Sequence, residues 1–380
     1  MDAMLPALSP ASVSLADVLP ACRAALDGTE NPLGLPPMRS VIVVLVDGLG
    51  AEALARRSGH ARTLASAMAP GDRIVSGFPT TTAAGIASLC TGTGSGSHGL
   101  VGYRVLVPGQ DRIVNQLSGW DAGMVPETWQ RRRTVFEQAS DDGVVCTVVG
   151  QAKHRRSGFT RAVLRGADYL GVDRLAERVR AAADTAALPG RRITYLYVHE
   201  LDTVAHASGC EGDRWSQGLE VLDRALASAA DRLDGDTGAL VLADHGILDV
   251  PRDGHILVDT IPGLMTGVRH LAGEPRCLQI HLQAGDAEAV QEAARRWRAE
   301  LGERAWVATR DEAVAHGWFG AEAEPDVLPR IGDLLVAARG RTAFYDSRSA
   351  DSRSRAMIGQ HGSLTDAETI VPLIRFGAAA

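Results

Sequence analysis

The five cysteines of this 380-residue chain, Cys22, Cys90, Cys146, Cys210 and Cys277, are odd in number and widely spaced, and none forms a CxxC pair. That pattern argues against a disulfide framework or a zinc ribbon and reads as buried, reduced thiols. Lysine is almost missing: of 39 basic residues only Lys153 is one, a compositional bias that carries no functional argument. A basic field is missing too. With a formal net charge of -7, nothing global draws the chain to nucleic acid or anionic lipid. Long apolar runs are also lacking: the longest in the strand-like segments, Val41 to Val46, is far below the ~20 residues of a membrane span. Between Met1 and Pro20 there are Asp2 and Asp17 but no lysine or arginine, and Pro6 and Pro10 break the apolar stretches, unlike a signal peptide. These absences predict a soluble, cytoplasmic protein with neither a membrane nor a nucleic-acid polymer as partner.

What is present is an ordinary globular composition, 45% apolar and 22% charged, in a chain long enough for one large domain or two smaller ones. The segment Val41 to Val46 is β-branched and apolar on both faces, as in a strand buried within a parallel sheet, and it ends in Asp47-Gly48. Ile193 to Val198 runs into His199-Glu200-Leu201-Asp202, and Ala239 to Ala243 runs into Asp244-His245-Gly246. Val144 to Val149 is a fourth strand, and Arg214 to Leu233 a helix. Strands alternating with helices predict a layered α/β domain with a mostly parallel central sheet. The texture changes between Pro251 and Asp346: Leu278 to Leu282 alternates apolar and polar, Asp286 to Leu301 is an amphipathic helix, and Ala305 to Ala308 and Asp333 to Ala338 read as strands. The expected organisation is a helical preamble at 1–36, broken or kinked at Pro20, a catalytic α/β domain at 37–250 and 347–380, and a smaller α+β cap insertion at 251–346.

Chemistry-bearing residues gather just beyond the strands, where open α/β sheets place ligands. They are Asp47, Asp202 with His206, and Asp244 with His245, joined by His361 in Gly359-Gln360-His361-Gly362. A lone aspartate after a strand is ordinarily a turn or helix cap, but three such endings, two also supplying histidine, point to a site. Asp202 and His206 are four apart, one helical turn, and share a face. Three carboxylates and three histidines suit zinc, with manganese and iron left open, and suffice for two ions ~4 Å apart that clamp an in-line phosphoryl displacement. Thr80-Thr81-Thr82 before a small-residue helix supplies a nucleophile at a helix N-terminus, where anions are favoured. Two literal motifs are set aside. Gly94-x-Gly96-x-x-Gly99 does not follow a strand, so it reads as a flexible loop beside the nucleophile rather than a dinucleotide fingerprint. His199-Glu200 lacks the second histidine of a zinc protease, since Thr203 stands there.

Taken together, Val46-Asp47-Gly48, Pro79-Thr80-Thr81-Thr82, Thr91-Gly92, His98-Gly99, Asp202-x-x-x-His206, Asp244-His245-Gly246 and His361-Gly362 resemble the alkaline phosphatase superfamily, in its nucleotide pyrophosphatase/phosphodiesterase branch. The resemblance implies one zinc held by Asp47, Asp244 and His245 beside the nucleophile, and a second held by Asp202, His206 and His361. Counting back from Thr91-Gly92, the family nucleophile falls on Thr82, which would also touch its metal and would form a phosphothreonine. Two departures stand out. The family's aromatic-Pro-Asn after the nucleophile is Ala83-Ala84-Gly85 here, and its phosphoryl-binding asparagine falls on Tyr103. The implied activity is cleavage of a phosphodiester or pyrophosphate in a small phosphate ester, nucleotides included. Alternatives on the same metal frame are a phosphomonoesterase, for which Arg104, Lys153, Arg155 and Arg156 are candidate extra cations, a phosphonate hydrolase, and a silent metal-binding module. No C/S-x-P-x-R sequence is present for a sulfatase.

Overall fold

The structure is a computed structural model that describes residues 4–8, 13–69, 71–349 and 354–380; Asp2 and Pro10 lie outside them. Eleven strands matter here: β1 Ser40–Val46, β2 Arg73–Val75, β3 Val145–Gly150, β4 Asp168–Gly171, β5 Arg192–Val198, β6 Thr237–Leu242, β7 Val268–Glu274, β8 Cys277–Leu282, β9 Ala305–Thr309, β10 Leu334–Ala338 and β11 Ile370–Gly377. Seven of them form the central sheet in the order β2-β11-β6-β1-β5-β3-β4. The five from β6 to β4 run parallel, whereas β11 pairs antiparallel with both β6 and β2. All seven residues of β1 are buried, as two covered faces demand. The helices α1 Leu15–Leu26, α2 Thr82–Thr91, α3 Leu175–Ala186 and α5 Asp213–Ala230 supply the cover, α4 Glu200–Ser208 packs on α5, and α6 Ala287–Leu301 lies on a second sheet. Ile42, Val44, Leu196 and Val241 face α3 and α5, while Val148, Tyr195 and Tyr197 face α2 on the other side.

Helix α1 passes through Pro20 without a break. Proline removes one backbone donor, but Val18, Leu19, Ala21 and Cys22 are fully buried around it, and the Asp17 carboxylate accepts the Ser14 N–H at 2.8 Å. Packing and the N-terminal cap outweigh the one lost bond.

The second sheet, β7-β8-β10-β9, is wholly antiparallel. Its own core joins Leu278, Ile280, Leu282, Val307 and Val336 to Trp297 of α6. The alternation in β8 is real, yet no face of it is wet: Gln279 is fully buried, donating to the Val101 carbonyl at 2.6 Å and accepting from the Gly332 N–H at 3.0 Å. Gln279 thus fastens the polar face to the main body with its amide satisfied, which is why it can occupy a buried strand. The glycine-rich segment departs from the expected loop in the same way. Ser95–His98 is a helical turn, largely buried, and a Cβ on Gly94 or Gly96 would lie 2.8 or 2.6 Å from the carbonyl oxygen of Phe319 or Glu322. These glycines permit close backbone packing. Among the described residues no helix is long and apolar enough to cross a membrane.

Candidate active site

The carboxyl ends of β1, β5 and β6 converge with the start of α2 and the return segment before β11. Asp47 directly follows β1, and Asp244-His245 follows β6. His245 Nε2 sits 3.4 Å from Asp47 Oδ1 and 3.7 Å from Asp244 Oδ2. Thr82 opens α2, and its Oγ1 lies 3.3 Å from the same Nε2. That approach needs Gly85, since a Cβ there would lie 2.6 Å from the Asp244 carbonyl oxygen. On α4, Asp202 and His206 share a face, with His206 Nε2 3.4 Å from Asp202 Oδ2. His361 brings its Nε2 to 3.3 Å from His206 Nε2 and 3.8 Å from Asp202 Oδ1. Its ring stacks on His245 with centroids 3.7 Å apart, so the two groups are continuous. Two sets of ligand atoms fall within 4.8 Å of one another, Asp47 with Asp244 and His245, and Asp202 with His245 and His361. His206 adjoins the second set through the contacts just given.

Each histidine is oriented by a backbone carbonyl on its Nδ1: Gly359 O for His206 at 2.8 Å, Thr80 O for His361 at 2.7 Å, and Gly246 O for His245 at 3.1 Å. A carbonyl only accepts, so each Nδ1 carries the proton and each Nε2 offers a lone pair inward, the ligating tautomer. The carboxylates are poised likewise. Asp47 Oδ1, Asp202 Oδ1 and Asp244 Oδ2 are buried without a hydrogen-bond partner among the described residues. Burial raises all three carboxyl groups above their ordinary range; the charges of Asp244 and Asp202 push Asp47 further, and that of Asp202 does the same to Asp244. Burial holds His245 and His361 below theirs. Three buried acids with orphaned oxygens and three inward lone pairs are a costly arrangement unless cations complete it. The donor set therefore fits divalent metal.

Some supporting residues are invisible in the motifs. Tyr197 donates its hydroxyl to Asp47 Oδ2; its place on the α2 side of β5, two residues beyond Tyr195, is the one sequence hint. Thr80 donates to the Ser363 carbonyl at 2.8 Å and accepts the Gly362 N–H at 3.0 Å, fastening the His361 turn. Beside Thr82 a cavity of about 130 Å³ is lined by Leu117, His154, Phe159, Tyr169, Tyr195 and Tyr197. Tyr103 is 39% exposed, and its hydroxyl has no hydrogen bond among the described residues. Its backbone N–H donates to Glu274 Oε2 at 3.1 Å.

Glu274, at the end of β7, is buried and pushed up to about 8 by that burial, with a smaller contribution from Glu368. Its folded value lies above its unfolded one, so the stability it contributes is full at acid pH and is lost as pH rises through about 8. Glu274→Gln keeps an acceptor for Tyr103 and removes the titration. Its melting temperature relative to wild type is expected to rise between pH 5 and about pH 8 and to level off above that; a constant difference across this range would refute this assignment.

The family described as type I phosphodiesterase / nucleotide pyrophosphatase matches residues 41–364. Among solved structures, murine ectonucleotide pyrophosphatase / phosphodiesterase 5, an inactive variant in complex with AMP, aligns with a TM-score of 0.68 at 16% identity, covering 90% of this chain and 88% of that one. The human form aligns with a TM-score of 0.66 at 14% identity, covering 89% and 88%. These likenesses are in fold. A search of curated proteins gives no match.

Proposed function

This chain belongs to the type I phosphodiesterase / nucleotide pyrophosphatase family of hydrolases, and from that premise we propose that it cleaves a phosphodiester or pyrophosphate bond in two steps through a phosphothreonine on Thr82. The observation that carries the reading is the convergence of three orphaned carboxylate oxygens and three inward Nε2 atoms in one cluster, with the Thr82 hydroxyl 3.3 Å from the Nε2 of His245. Asp47, Asp244 and His245 would hold one divalent ion, and Asp202, His206 and His361 the other. When bound, such ions supply Lewis-acid stabilisation of the charge on the attacking and leaving oxygens, and zinc suits the mixed oxygen and nitrogen donors. Thr82 Oγ1 loses its proton and bonds phosphorus, and the ester or anhydride oxygen leaves with the bonding pair. Water then cleaves the new Thr82 O–P bond and restores the hydroxyl. The N-terminus of α2 turns its free N–H groups toward the anionic phosphoryl oxygens. Tyr197 and the backbone carbonyls hold the ligands in place throughout.

The cavity beside Thr82 suits the group that stays on phosphorus. It has room for about one aromatic ring, and its tyrosines and Phe159 offer flat faces. The AMP in the murine relative supports a nucleotide as that group. The test is hydrolysis of bis(p-nitrophenyl) phosphate, p-nitrophenyl phosphate and a nucleotide p-nitrophenyl ester by one zinc-loaded preparation. Both diesters are expected to turn over faster than the monoester. A monoester preference would replace this reading with a phosphomonoesterase, and no turnover with metal bound would favour a phosphonate hydrolase or a silent site.

A further inference from the structure

After each ligand-bearing turn of the cluster the chain runs on, within a few residues, into the wall of one other cavity. Arg56 and Arg57 follow Asp47, Cys210 follows His206, Ile247 follows His245, and Ala367 follows His361. The second sheet adds Arg341, from the turn after β10. The cavity holds about 650 Å³ and shares no lining residue with the one beside Thr82. Its polar wall is set by the fold itself. The Asp249 carboxylate accepts the Cys210 N–H at 2.7 Å and the Glu211 N–H at 3.2 Å, and the Asp249 carbonyl accepts Arg341 Nε at 2.6 Å. Arg57 donates to the Glu211 carbonyl, and Arg341 Nη2 stands 3.4 Å from Glu211 Oε1. Guanidinium groups from the main body and from the second sheet therefore meet at one residue.

The charges of the wall do not balance. Against three guanidinium groups it has two carboxylates: Glu52, paired with Arg56, and Glu211, loosely paired with Arg341. Arg57 is half-buried and pairs with no carboxylate among the described residues. The Glu211 carbonyl satisfies one of its donors and none of its charge, so the arrangement is complete only with an anion from outside. Guanidinium forks match phosphoryl oxygens. The floor is of another kind: Cys210 and Ile247 are buried there, beside Ala53, Leu248 and Ala367. A cavity of this size with an apolar floor and a few fixed polar groups is built for a small organic molecule rather than a bare ion. We propose that it is a second binding site, taking a small phosphomonoester with the phosphoryl dianion between Arg57 and Arg341 and the organic body on the floor at Ile247. The site is separate from the metal cluster, and the inference goes beyond hydrolysis, since it holds whether or not Thr82 is a nucleophile.

The probe is 1-naphthyl phosphate, with 1-naphthol and inorganic phosphate each carrying one half of it, on full-length, zinc-loaded Thr82→Ala protein. Phenylglyoxal modifies accessible guanidinium groups, and peptide mass spectrometry reads each arginine separately, so occupancy here is told apart from binding at the metal cluster. The probe is expected to slow modification of both Arg57 and Arg341, and neither half is expected to do so at the same concentration. Arg341→Ala should raise the concentration that half-protects Arg57 by at least about tenfold, as loss of a charged hydrogen bond does. That variant also loses the tie to Asp249, so a second one carries the opposite sign. Glu211→Gln removes the carboxylate that competes for Arg341 while keeping the carbonyl that holds Arg57, and should lower the half-protecting concentration about threefold. Weaker binding in both variants would show that shape rather than charge was disturbed and would overturn the site. No protection, or equal protection by inorganic phosphate or by 1-naphthol alone, would overturn it as well. No turnover enters the measurement, so its failure leaves the hydrolase reading standing, and failure of the diester assay leaves this site standing.

Discussion

Thr82→Ala is expected to lower turnover of bis(p-nitrophenyl) phosphate by at least about a thousandfold, with metal content by elemental analysis unchanged. In the proposed mechanism the residue supplies the attacking oxygen, and loss of a covalent nucleophile would leave only binding and electrostatic stabilisation behind. It does not hold the histidines or carboxylates in place, so the ligand cluster survives. Its two neighbours serve as controls with distinct structural duties. Thr81 caps α2, accepting the Ala84 N–H at 3.4 Å, so its alanine variant should cost about 1 kcal/mol of stability and little rate. Thr80 fastens the His361 turn by both its hydroxyl and its carbonyl, so Thr80→Ala should weaken metal retention before it touches the chemistry. Near-normal turnover by Thr82→Ala, with activity lost in either neighbour, would move the nucleophile and refute the phosphothreonine assignment.

The second large effect is at Asp244, fully buried, with Oδ1 accepting the Gly48 and His245 N–H groups at 3.3 and 3.1 Å and Oδ2 left without a partner. Asp244→Asn preserves the first set of bonds and replaces the orphaned oxygen by an amide that cannot bind metal. Metal content and turnover should both collapse. Stability should move the other way in chelator-treated protein. Burial raises the folded carboxyl groups of Asp47, Asp202 and Asp244 above their unfolded values. The stability they contribute without metal is therefore present at acid pH and lost as pH rises beyond the ordinary carboxylate range. Metal-free wild type should thus melt lower at pH 8 than at pH 5, metal-free Asp244→Asn should melt above wild type at pH 8, and added zinc should reverse that order. Equal melting curves for the two metal-free proteins would show that these carboxylates are not the costly groups described.

Much of this site was legible because its candidate ligands end apolar runs. A strand such as Val41 to Val46 has one environment that suits it, a sheet covered on both faces, and polar residues at its carboxyl end must then sit at the sheet's rim. Asp202 and His206 are readable for a similar reason, one helical turn apart on one element. Tyr197 was not, because a tyrosine in an apolar strand carries the same pattern whether its hydroxyl serves a carboxylate or a packing contact. The carbonyls of Thr80, Gly246 and Gly359 have no side-chain signature at all. The β8 strand shows the limit from another side: alternation reports two kinds of neighbour without naming the second, which here is the main body of the protein. The glycines at 94 and 96 likewise look like freedom in the sequence and act as contact surfaces in the fold.

The position of β11 carries a consequence for how a newly made chain becomes an enzyme. This strand, at 370–377, enters the sheet between β2 and β6, and His361 precedes it by nine residues. Asp47, Thr82, Asp202, His206 and Asp244 all leave the ribosome earlier, yet the cluster lacks His361 and the sheet has an open seam until the segment beyond 360 emerges. Assembly of the site therefore waits as one event for the segment beyond 360. A chain stalled anywhere in the second sheet would display carboxylates and a threonine but no assembled catalyst.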